Sequence, residues 1–366
     1  MKLGIVGLPN VGKTTLFNAL THGHAAATAY AYTSAESNHG VVAVPDPRLD
    51  RLHEVLETPK KVNATIDVVD IAGLAEGASR GEGLGNRFLA DIRGVDAVAH
   101  VVRAFAGPDT AGGSQAVDAL SDVELVETEL VLGDLELVER RVDKARKAAR
   151  SGDKAAKHEL AVLEALVAAL QEGRLARGVE RAHEDGPLFR ELALVSDRPV
   201  LFVLNVGDDQ DPAAALAGQQ GFVDWARGRG DQVVAVAARL EAELADLEPD
   251  EAALFRQELG GAEAGAVDVL IRAAYDVLGY ISFFTGDFRS SESRAWQLPR
   301  GWTAKQAAGR IHSDIEHGFV RAQVVSIADL LELGSFHAAR EAAKLRTEGK
   351  DYVVQDGDVI NFMHTG

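Results

Sequence analysis

Eight residues near the N-terminus have the types and the spacing of a phosphate-binding loop. Residues 7–14 read Gly-Leu-Pro-Asn-Val-Gly-Lys-Thr and match the pattern G-x-x-x-x-G-K-[ST] at every fixed position. An apolar run over 2–6 predicts a strand before the loop, and residues 15–20 begin a predicted helix after it. A glycine turn with an unrelated lysine is the alternative, but strand, loop and helix all agree with a nucleotide site.

Each part of this loop has a chemical role. Its glycines let backbone N–H groups approach phosphate oxygens, and the helix that follows adds the positive end of its dipole. Lys13 would neutralise the β- and γ-phosphates, and the Thr14 hydroxyl would hold Mg²⁺. The residues predicted to bind the nucleotide here are Asn10, Val11, Gly12, Lys13, Thr14 and Thr15.

A second motif, Asp70-Ile71-Ala72-Gly73, follows another predicted strand over 65–69. In switch NTPases a carboxylate at this point holds Mg²⁺ through water, and the glycine N–H senses the γ-phosphate. Nucleoside kinases have no need of this glycine, so the motif favours a switch NTPase. Asp70 taken alone would also suit a helix N-cap.

Two residues bear on hydrolysis and on monovalent ions. Leu74 occupies the position where Ras-like enzymes have the glutamine that orients water, and leucine cannot hydrogen-bond water. We therefore predict slow chemistry in which Lys13 and the Gly73 amide stabilise the transferring phosphoryl group. Asn10 either binds a potassium ion near the phosphates or caps the turn of the loop, and the sequence favours neither role.

The motif that would contact the base is altered. After an apolar strand over 199–204 the chain reads Asn205-Val206-Gly207-Asp208, where switch GTPases have N-K-x-D. Val206 replaces the lysine that packs along guanine, although the carboxylate of Asp208 is kept. A further strand over 232–237 leads to Ala238, whose backbone N–H is expected to meet the base. The sequence alone therefore does not identify the nucleotide as GTP.

Composition bounds the class of protein. The chain has 366 residues, no cysteine and a formal net charge of −18. This length predicts two or three domains, and the lack of cysteine excludes disulfides and thiolate metal sites. No apolar run approaches the ~20 residues that span a bilayer, so we expect no membrane partner and a cytoplasmic location. The negative charge disfavours general binding to nucleic acid, and no DNA sequence specificity is expected.

A helical hairpin is predicted over about 118–192. One apolar seam, with the spacing of a coiled coil, runs through Val131, Leu135, Val138, Val142, Ala145 and Ala149. The second runs through Leu160, Leu163, Val167 and Leu170, after a break at 151–153. Residues 140–157 carry eight basic and two acidic side chains. The predicted RNA contacts are Arg141, Lys144, Arg146 and Lys147, and a solvated helix face is the alternative.

The C-terminal part, from about residue 281, is predicted to be rich in strands. The segments 282–285 and 293–296 suit a hairpin, 302–311 suits a short helix and 319–325 suits a strand. Residues 352–354 and 359–362 flank a Gln-Asp-Gly-Asp turn and predict a closing hairpin. The spacing of His312, His317 and His337 is poor for a metal site.

Several blocks together resemble the YchF/Obg-like ATPase family of ribosome-associated P-loop proteins. The resemblance runs the whole length of the chain. The matching blocks are residues 4–13, 40–42, 45–49 and 69–74, the unusual Gly81-Glu82-Gly83-Leu84-Gly85-Asn86, and Gly349-Lys350-Asp351-Tyr352. The resemblance implies a preference for ATP, hydrolysis without the usual glutamine, and a ribosomal partner of rRNA and ribosomal proteins.

The chain departs from this family at two positions. Asp208 stands where the family usually has glutamate, which keeps a GTPase-like residue in the base site. The Mg²⁺-sensing threonine of the family's first switch falls on Ser34, which retains a hydroxyl, and the neighbouring Thr33 is the alternative. The metal ligands implied by the motifs and the resemblance are therefore Thr14, Ser34 and Asp70.

These observations predict an α/β protein with a P-loop NTPase domain of the Obg type. The predicted domains are 1–117 with 196–280 for the nucleotide, 118–195 for the hairpin, and 281–366 for a β-grasp-like TGS domain that the resemblance implies. The expected function is a slow, Mg²⁺-dependent ATPase that acts as a switch on the ribosome. An Obg-type GTPase and a non-hydrolysing sensor of nucleotide occupancy are the alternatives.

Overall fold

The computed structural model describes residues 2–23, 33–34, 37–72, 84–105, 118–150, 152–248, 251–252, 254–255, 265–287 and 290–365. They form two compact units. The first contains the described residues of 2–40 and 67–270, and the second contains 41–66 and those of 271–365. None of the helices within these residues is both long and apolar enough to cross a bilayer.

A seven-stranded sheet underlies the nucleotide motifs. Its spatial order is β2 (Thr33–Ser34), β3 (Ser37–Ala43), β5 (Thr65–Asp70), β1 (Lys2–Val6), β6 (Ala97–Arg103), β7 (Val200–Asn205) and β8 (Gln232–Val236), while β4 (Lys60–Val62) lies in the other sheet. The five strands from β5 to β8 are parallel. Such strands are covered on both faces, which explains why β6 and β7 are almost continuously apolar and buried.

The register of this sheet aligns the ends of the strands that carry the motifs. Ile5 lies opposite Asp70, and Asn205 lies between Arg103 and Val236. Because parallel strands place their carboxyl ends at one edge, the loops after β1, β5, β7 and β8 open on the same side. The sheet thereby brings together motifs that are far apart in the sequence.

The first unit contains helices beside this sheet and in the predicted hairpin. They are α1 (Lys13–Gly23), α3 (Leu84–Arg93), α4 (Ala119–Ala149), α5 (Lys154–Gln171), α6 (Gly186–Leu192), α7 (Pro212–Gly218), α8 (Gln220–Gly228) and α9 (Ala238–Leu244). Helix α2 (Pro47–Leu56) belongs to the second unit, and α10 (Ala266–Val277) has residues in both. One core cluster packs Phe88 and Ile92 of α3 against Val126 and Leu130 of α4.

The predicted hairpin is confirmed as two packed helices, α4 and α5. Asp118 caps the start of α4, and Asp153 caps the start of α5 after a turn in which Gly152 has φ +87°. The buried seam between the helices includes Val138, Val142, Leu163, Leu166 and Leu170. Burial of each such side chain stabilises the hairpin by roughly 1.5–3 kcal/mol, so the seam rather than the polar surface holds the arm together.

Polar groups fix the base of the hairpin to the sheet. Asp134 is fully buried and accepts hydrogen bonds from the Val195 N–H at 3.0 Å and from the Ser196 N–H and hydroxyl at 2.8 and 2.6 Å. Arg177 donates two hydrogen bonds, of 2.6 and 2.7 Å, to Asp231, which immediately precedes β8. These contacts fix the base of the hairpin to the rest of the first unit.

The second unit is built on a six-stranded sheet. Its order is β12 (Arg346–Glu348), β11 (Phe319–Ser326), β13 (Asp358–His364), β9 (Tyr280–Thr285), β10 (Glu292–Pro299) and β4. Its helices are α2, α11 (Ala304–Ile311), α12 (Ser313–His317), α13 (Ile327–Leu333) and α14 (Phe336–Glu341). The predicted β9–β10 hairpin, the helix over 302–311 and the strand over 319–325 are confirmed, with small shifts at their ends.

The predicted closing hairpin is wrong. Strand β13 pairs antiparallel with β11 and parallel with β9, and not with residues 352–354. The backbone of 352–354 turns toward the start of α11 instead, because the Ala304 N–H donates to the Tyr352 carbonyl and the Val354 N–H donates to the Trp302 carbonyl. These partners are about 50 residues away in the sequence, so the local turn signal did not reveal them.

Residues 41–66 were predicted to belong with the nucleotide domain but group with the second unit. Strand β4 pairs with β10. Arg48 donates to both oxygens of Asp46 and both oxygens of Asp356, and its guanidinium lies 5.3 Å from the centre of the Phe284 ring. The domain limits 1–117 with 196–280, 118–195 and 281–366 stay a prediction.

Candidate nucleotide site

The backbone of the loop after β1 has a conformation that only certain residues adopt easily. Gly7 and Gly12 have φ of +150° and +94°, and Asn10 has φ +62°. A Cβ on Gly7 would lie 2.5 Å from the Val101 carbonyl oxygen, and one on Gly12 would overlap the side-chain amide of Asn205. Both glycines are therefore required by the close approach of neighbouring elements as well as by φ.

Lys13 lies inside this loop. Its side chain is buried, and its ammonium group donates a hydrogen bond of 2.7 Å to the Leu8 carbonyl. Burial lowers the pKa of Lys13, and the negative charge of Asp70 opposes that change. A partly desolvated ammonium interacts more strongly with an anion than a solvated one does, so the loop is prepared for phosphate.

Thr14 and Asp70 form the second half of the site. The Thr14 hydroxyl donates a hydrogen bond of 2.8 Å to the Asp70 carboxylate. The position of Asp70 follows from the sheet, since the Ile71 N–H after it donates to the Ile5 carbonyl at 3.1 Å. The strand-end carboxylate and the helix-start hydroxyl therefore meet beside Lys13.

This donor set fits Mg²⁺. It supplies one neutral and one anionic oxygen, the ligand type that Mg²⁺ prefers, and Mg²⁺ takes its remaining ligands from phosphate and water. Within the described ranges no group of three His, Asp or Glu side chains could hold a metal by itself. A metal here would accordingly depend on the bound phosphates.

Asn205 connects the loop to the predicted base site. Its buried side-chain amide donates to the Val11 carbonyl at 2.8 Å and accepts from the Ala238 N–H at 3.0 Å. Val206 is 3 % exposed and packs in the core beneath the sheet edge, so its side chain does not extend along a base as the GTPase lysine would. The structure thus brings Val11, Asn205 and Ala238 together, but the Ala238 N–H, which was predicted to meet the base, donates to Asn205 instead.

Asp208 lies beside this cluster but has a partner that the sequence did not suggest. The Nε atom of Arg239 lies 3.5 Å from the Asp208 carboxylate and 3.1 Å from the carboxylate of Glu243. The Arg239–Glu243 spacing of four on α9 is visible in the sequence. The Arg239–Asp208 pair joins two separate loops and has no local signal.

Three predicted site residues lie wholly or partly outside the residues that the structure describes. Gly73 and Leu74 are beyond the described residues, and only the backbone of Ser34 is described, within β2. Asn10 and Thr14 are exposed, while Thr15 is half-buried on α1. The roles of Gly73, Leu74 and Ser34 therefore stay predictions.

The predicted RNA-contact residues of the hairpin divide into two kinds. Arg141 bonds Glu159 at 2.7 Å and Glu191 at 3.0 Å, and Arg146 bonds Glu164 at 3.1 Å. Lys144 and Lys147 are exposed and make no ion pair with the part of the chain that the structure describes. The two arginines support the hairpin itself, and the two lysines are available to a partner.

Comparison with known proteins agrees with this geometry. A family model described as "50S ribosome-binding GTPase" matches residues 2–132, and the YchF-GTPase C-terminal model, described as a protein of unknown function, matches residues 280–365. The chain is 44 % identical over 362 residues to a protein named ribosome-binding ATPase YchF from Bacillus subtilis, covering 98 % of each chain. The chain belongs to the YchF family.

Two further comparisons extend this assignment. A YchF protein of Escherichia coli O157:H7 is 43 % identical over 369 residues, which cover 99 % of this chain and 98 % of the relative. The structure of the Schizosaccharomyces pombe YchF GTPase superposes with a TM-score of 0.86 at 32 % identity, covering 99 % of this chain and 97 % of the other. The predicted family and the P-loop fold class are confirmed.

Proposed function

We propose that this protein is a ribosome-associated P-loop NTPase that binds ATP with Mg²⁺ and hydrolyses it as a switch. The observation that carries the proposal is the convergence of Lys13, Thr14 and Asp70 on one loop at the sheet edge. The names of the bacterial relatives, which are ribosome-binding ATPases, support both the nucleotide and the partner.

ATP is favoured over GTP by the base site. The buried Val206 offers neither the stem nor the charge of the GTPase lysine, so guanine loses one of its usual contacts. The Asn205 side chain accepts a hydrogen bond from the Ala238 N–H and so fixes this backbone. The backbone around Ala238 would contact adenine. The retained carboxylate of Asp208 is the observation that favours the alternative, an Obg-type GTPase.

The chemistry would be slow and mainly electrostatic. When bound, Mg²⁺ would neutralise charge on the β- and γ-phosphates, held by Thr14 and Asp70 and, as the resemblance implies, by Ser34. Lys13 and the Gly73 amide would stabilise the transferring group, and Leu74 would not orient water. A potassium ion near Asn10 remains a prediction that a comparison of potassium and sodium salts would test.

The ribosome contact is assigned to the basic face of the hairpin. Lys144, Lys147, Arg150, Lys154 and Lys157 are all exposed near the turn between α4 and α5, and none makes an ion pair with the described residues. On a chain of net charge −18 such a local cluster is what rRNA phosphates would meet. The C-terminal unit is proposed to act as a TGS-type binding module.

Parallel titrations of ATP and GTP test the nucleotide, and single-turnover hydrolysis with and without ribosomes tests the switch. We expect ATP to bind at least as tightly as GTP and hydrolysis to be slow without ribosomes. A Kd for GTP tenfold below that for ATP, about 1.4 kcal/mol, would favour the GTPase alternative. Tight ATP binding without turnover in either condition would favour a sensor of nucleotide occupancy.

A further inference from the structure

Arg239 lies close enough to the Asp208 carboxylate to change how that carboxylate interacts with a base. It is the second residue of α9, directly after Ala238, whose N–H bonds to Asn205. Its Nε atom approaches Oδ2 of Asp208 at 3.5 Å and the carboxylate of Glu243 at 3.1 Å. Glu243 lies one turn further along the same helix and orients the guanidinium. Asp208, in the neighbouring loop, lies on the other side of the ion pair.

Guanine and adenine present different hydrogen-bond donors to this carboxylate. Guanine presents two adjacent donors, N1–H and the N2 amino group, which together engage both oxygens of one carboxylate. Adenine presents one donor, the N6 amino group, beside an acceptor at N1. A cation near one oxygen of Asp208 therefore offsets the negative charge that attracts the two donors of guanine. Adenine, with one donor, depends less on that charge.

We propose that Arg239 is a specificity-determining residue that acts through Asp208. By placing positive charge 3.5 Å from Oδ2, it reduces the advantage that this aspartate would otherwise give to guanine, and the site accepts adenine. This explains how a chain that keeps a GTPase-like aspartate could still prefer ATP. The inference rests on the proposed nucleotide function and adds to it the residue that sets the base preference.

The size of the effect follows from the exposure of the pair. The side chains of Arg239 and Asp208 are 74 % and 44 % exposed. Ion pairs in such surroundings are weak because water and salt screen them. Release of Asp208 should therefore change guanine affinity by about two- to fivefold, and not by the several orders of magnitude expected of a buried pair.

The test measures Kd for ATP, GTP and ITP on the full chain, the Arg239→Ala variant, the Asp208→Ala variant and the double variant. We expect Arg239→Ala to bind GTP about two- to fivefold more tightly and to bind ATP as the parent does. ITP should gain less than GTP, because hypoxanthine lacks the N2 amino group. Arg239→Lys, which retains a cation, should recover part of the parent's preference.

The double variant separates this role from a general change in charge. If Arg239 acts through Asp208, the gain for GTP must disappear when Asp208→Ala is also present. Equal gains for ATP and GTP, no gain for GTP, or a gain that persists in the double variant would each overturn the inference. A different result would contradict the proposed function, namely weak ATP binding by the parent or ATP binding that is unchanged when Lys13 is replaced.

Discussion

The Thr14 hydroxyl lies 2.8 Å from the Asp70 carboxylate, although 56 residues separate them in the sequence. One residue begins a helix and the other ends a strand, and the parallel register of β1 with β5 brings them together. Their oxygens form the pair on which the proposed Mg²⁺ dependence rests.

Replacement of Thr14 by alanine should weaken only the Mg²⁺-dependent part of ATP binding. The variant loses one oxygen ligand but retains Lys13 and the backbone of the loop. We expect Kd for ATP measured with Mg²⁺ to rise about tenfold, or about 1.4 kcal/mol, and Kd measured in EDTA to be nearly unchanged. Thr14→Ser, which keeps the hydroxyl, is the control. An equal loss in both media would contradict a metal role for Thr14.

Replacement of Lys13 by alanine should remove tight triphosphate binding with or without Mg²⁺. The buried ammonium is the positive side chain within the loop, and charge-assisted hydrogen bonds to phosphate are the strong ones. We expect Kd for ATP, followed with a fluorescent analogue, to rise by about 100-fold or more. Lys2→Ala, at an exposed residue on the same strand–loop unit, should bind like the parent. ATP binding by Lys13→Ala at parental strength would refute the phosphate site.

Charge reversal at Lys144 and Lys147 should abolish co-sedimentation with ribosomes and leave ATP binding intact. These lysines make no ion pair with the residues that the structure describes, whereas Arg141 and Arg146 hold the hairpin through Glu159, Glu191 and Glu164. We expect a loss of more than about tenfold in affinity and a slope of log K against log salt that is smaller by about 1.5–2.

The matched control for this arm reverses Arg190 and Arg227, two exposed arginines of the first unit, and introduces the same change in net charge. It should stay within about twofold of the parent. If both double variants bind ribosomes normally, the basic run is a solvated helix face. If both lose binding equally, only the overall charge matters.

The second unit should lose stability in acid through the Arg48–Asp356 contact. Burial alone would raise the pKa of Asp356, but hydrogen bonds from Arg48 and from the Ser282 N–H outweigh it and lower the pKa. Because the folded pKa is below the unfolded one, this stability is present above about pH 4 and is lost as pH falls through the folded pKa.

Asp356→Asn should therefore lower stability at pH 7 and flatten the acid side of the stability curve. The Asp356 side chain is 45 % exposed, so solvent screening limits the expected loss to about 0.5–1 kcal/mol. Urea unfolding between pH 3 and 7 in a Trp225→Phe background, followed by the fluorescence of Trp296 and Trp302, measures it. Asp351→Asn, at an exposed carboxylate, is the control, and an unchanged pH profile for Asp356→Asn would contradict the assignment.

The sequence predicted the parts of the candidate nucleotide site because each part is marked by a local pattern. The phosphate loop needs glycines and a lysine at fixed spacings between one strand and one helix, and Asp70 and Asn205 each stand at the end of an apolar strand. The periodicity of the hairpin similarly predicted its seam, since Val138, Val142, Leu163 and Leu170 are buried where the pattern placed them.

Only the tertiary structure decided which distant segments pair with each other. It placed β4 beside β10, paired β13 with β11 and β9, directed Arg141 to Glu159 and Glu191, and set Arg239 against Asp208. No local sequence pattern predicts these contacts. Each joins elements that are distant in the sequence and whose side chains would suit several partners equally well. Which partner is chosen depends on how the sheets and helices pack, and that information is spread over the whole chain.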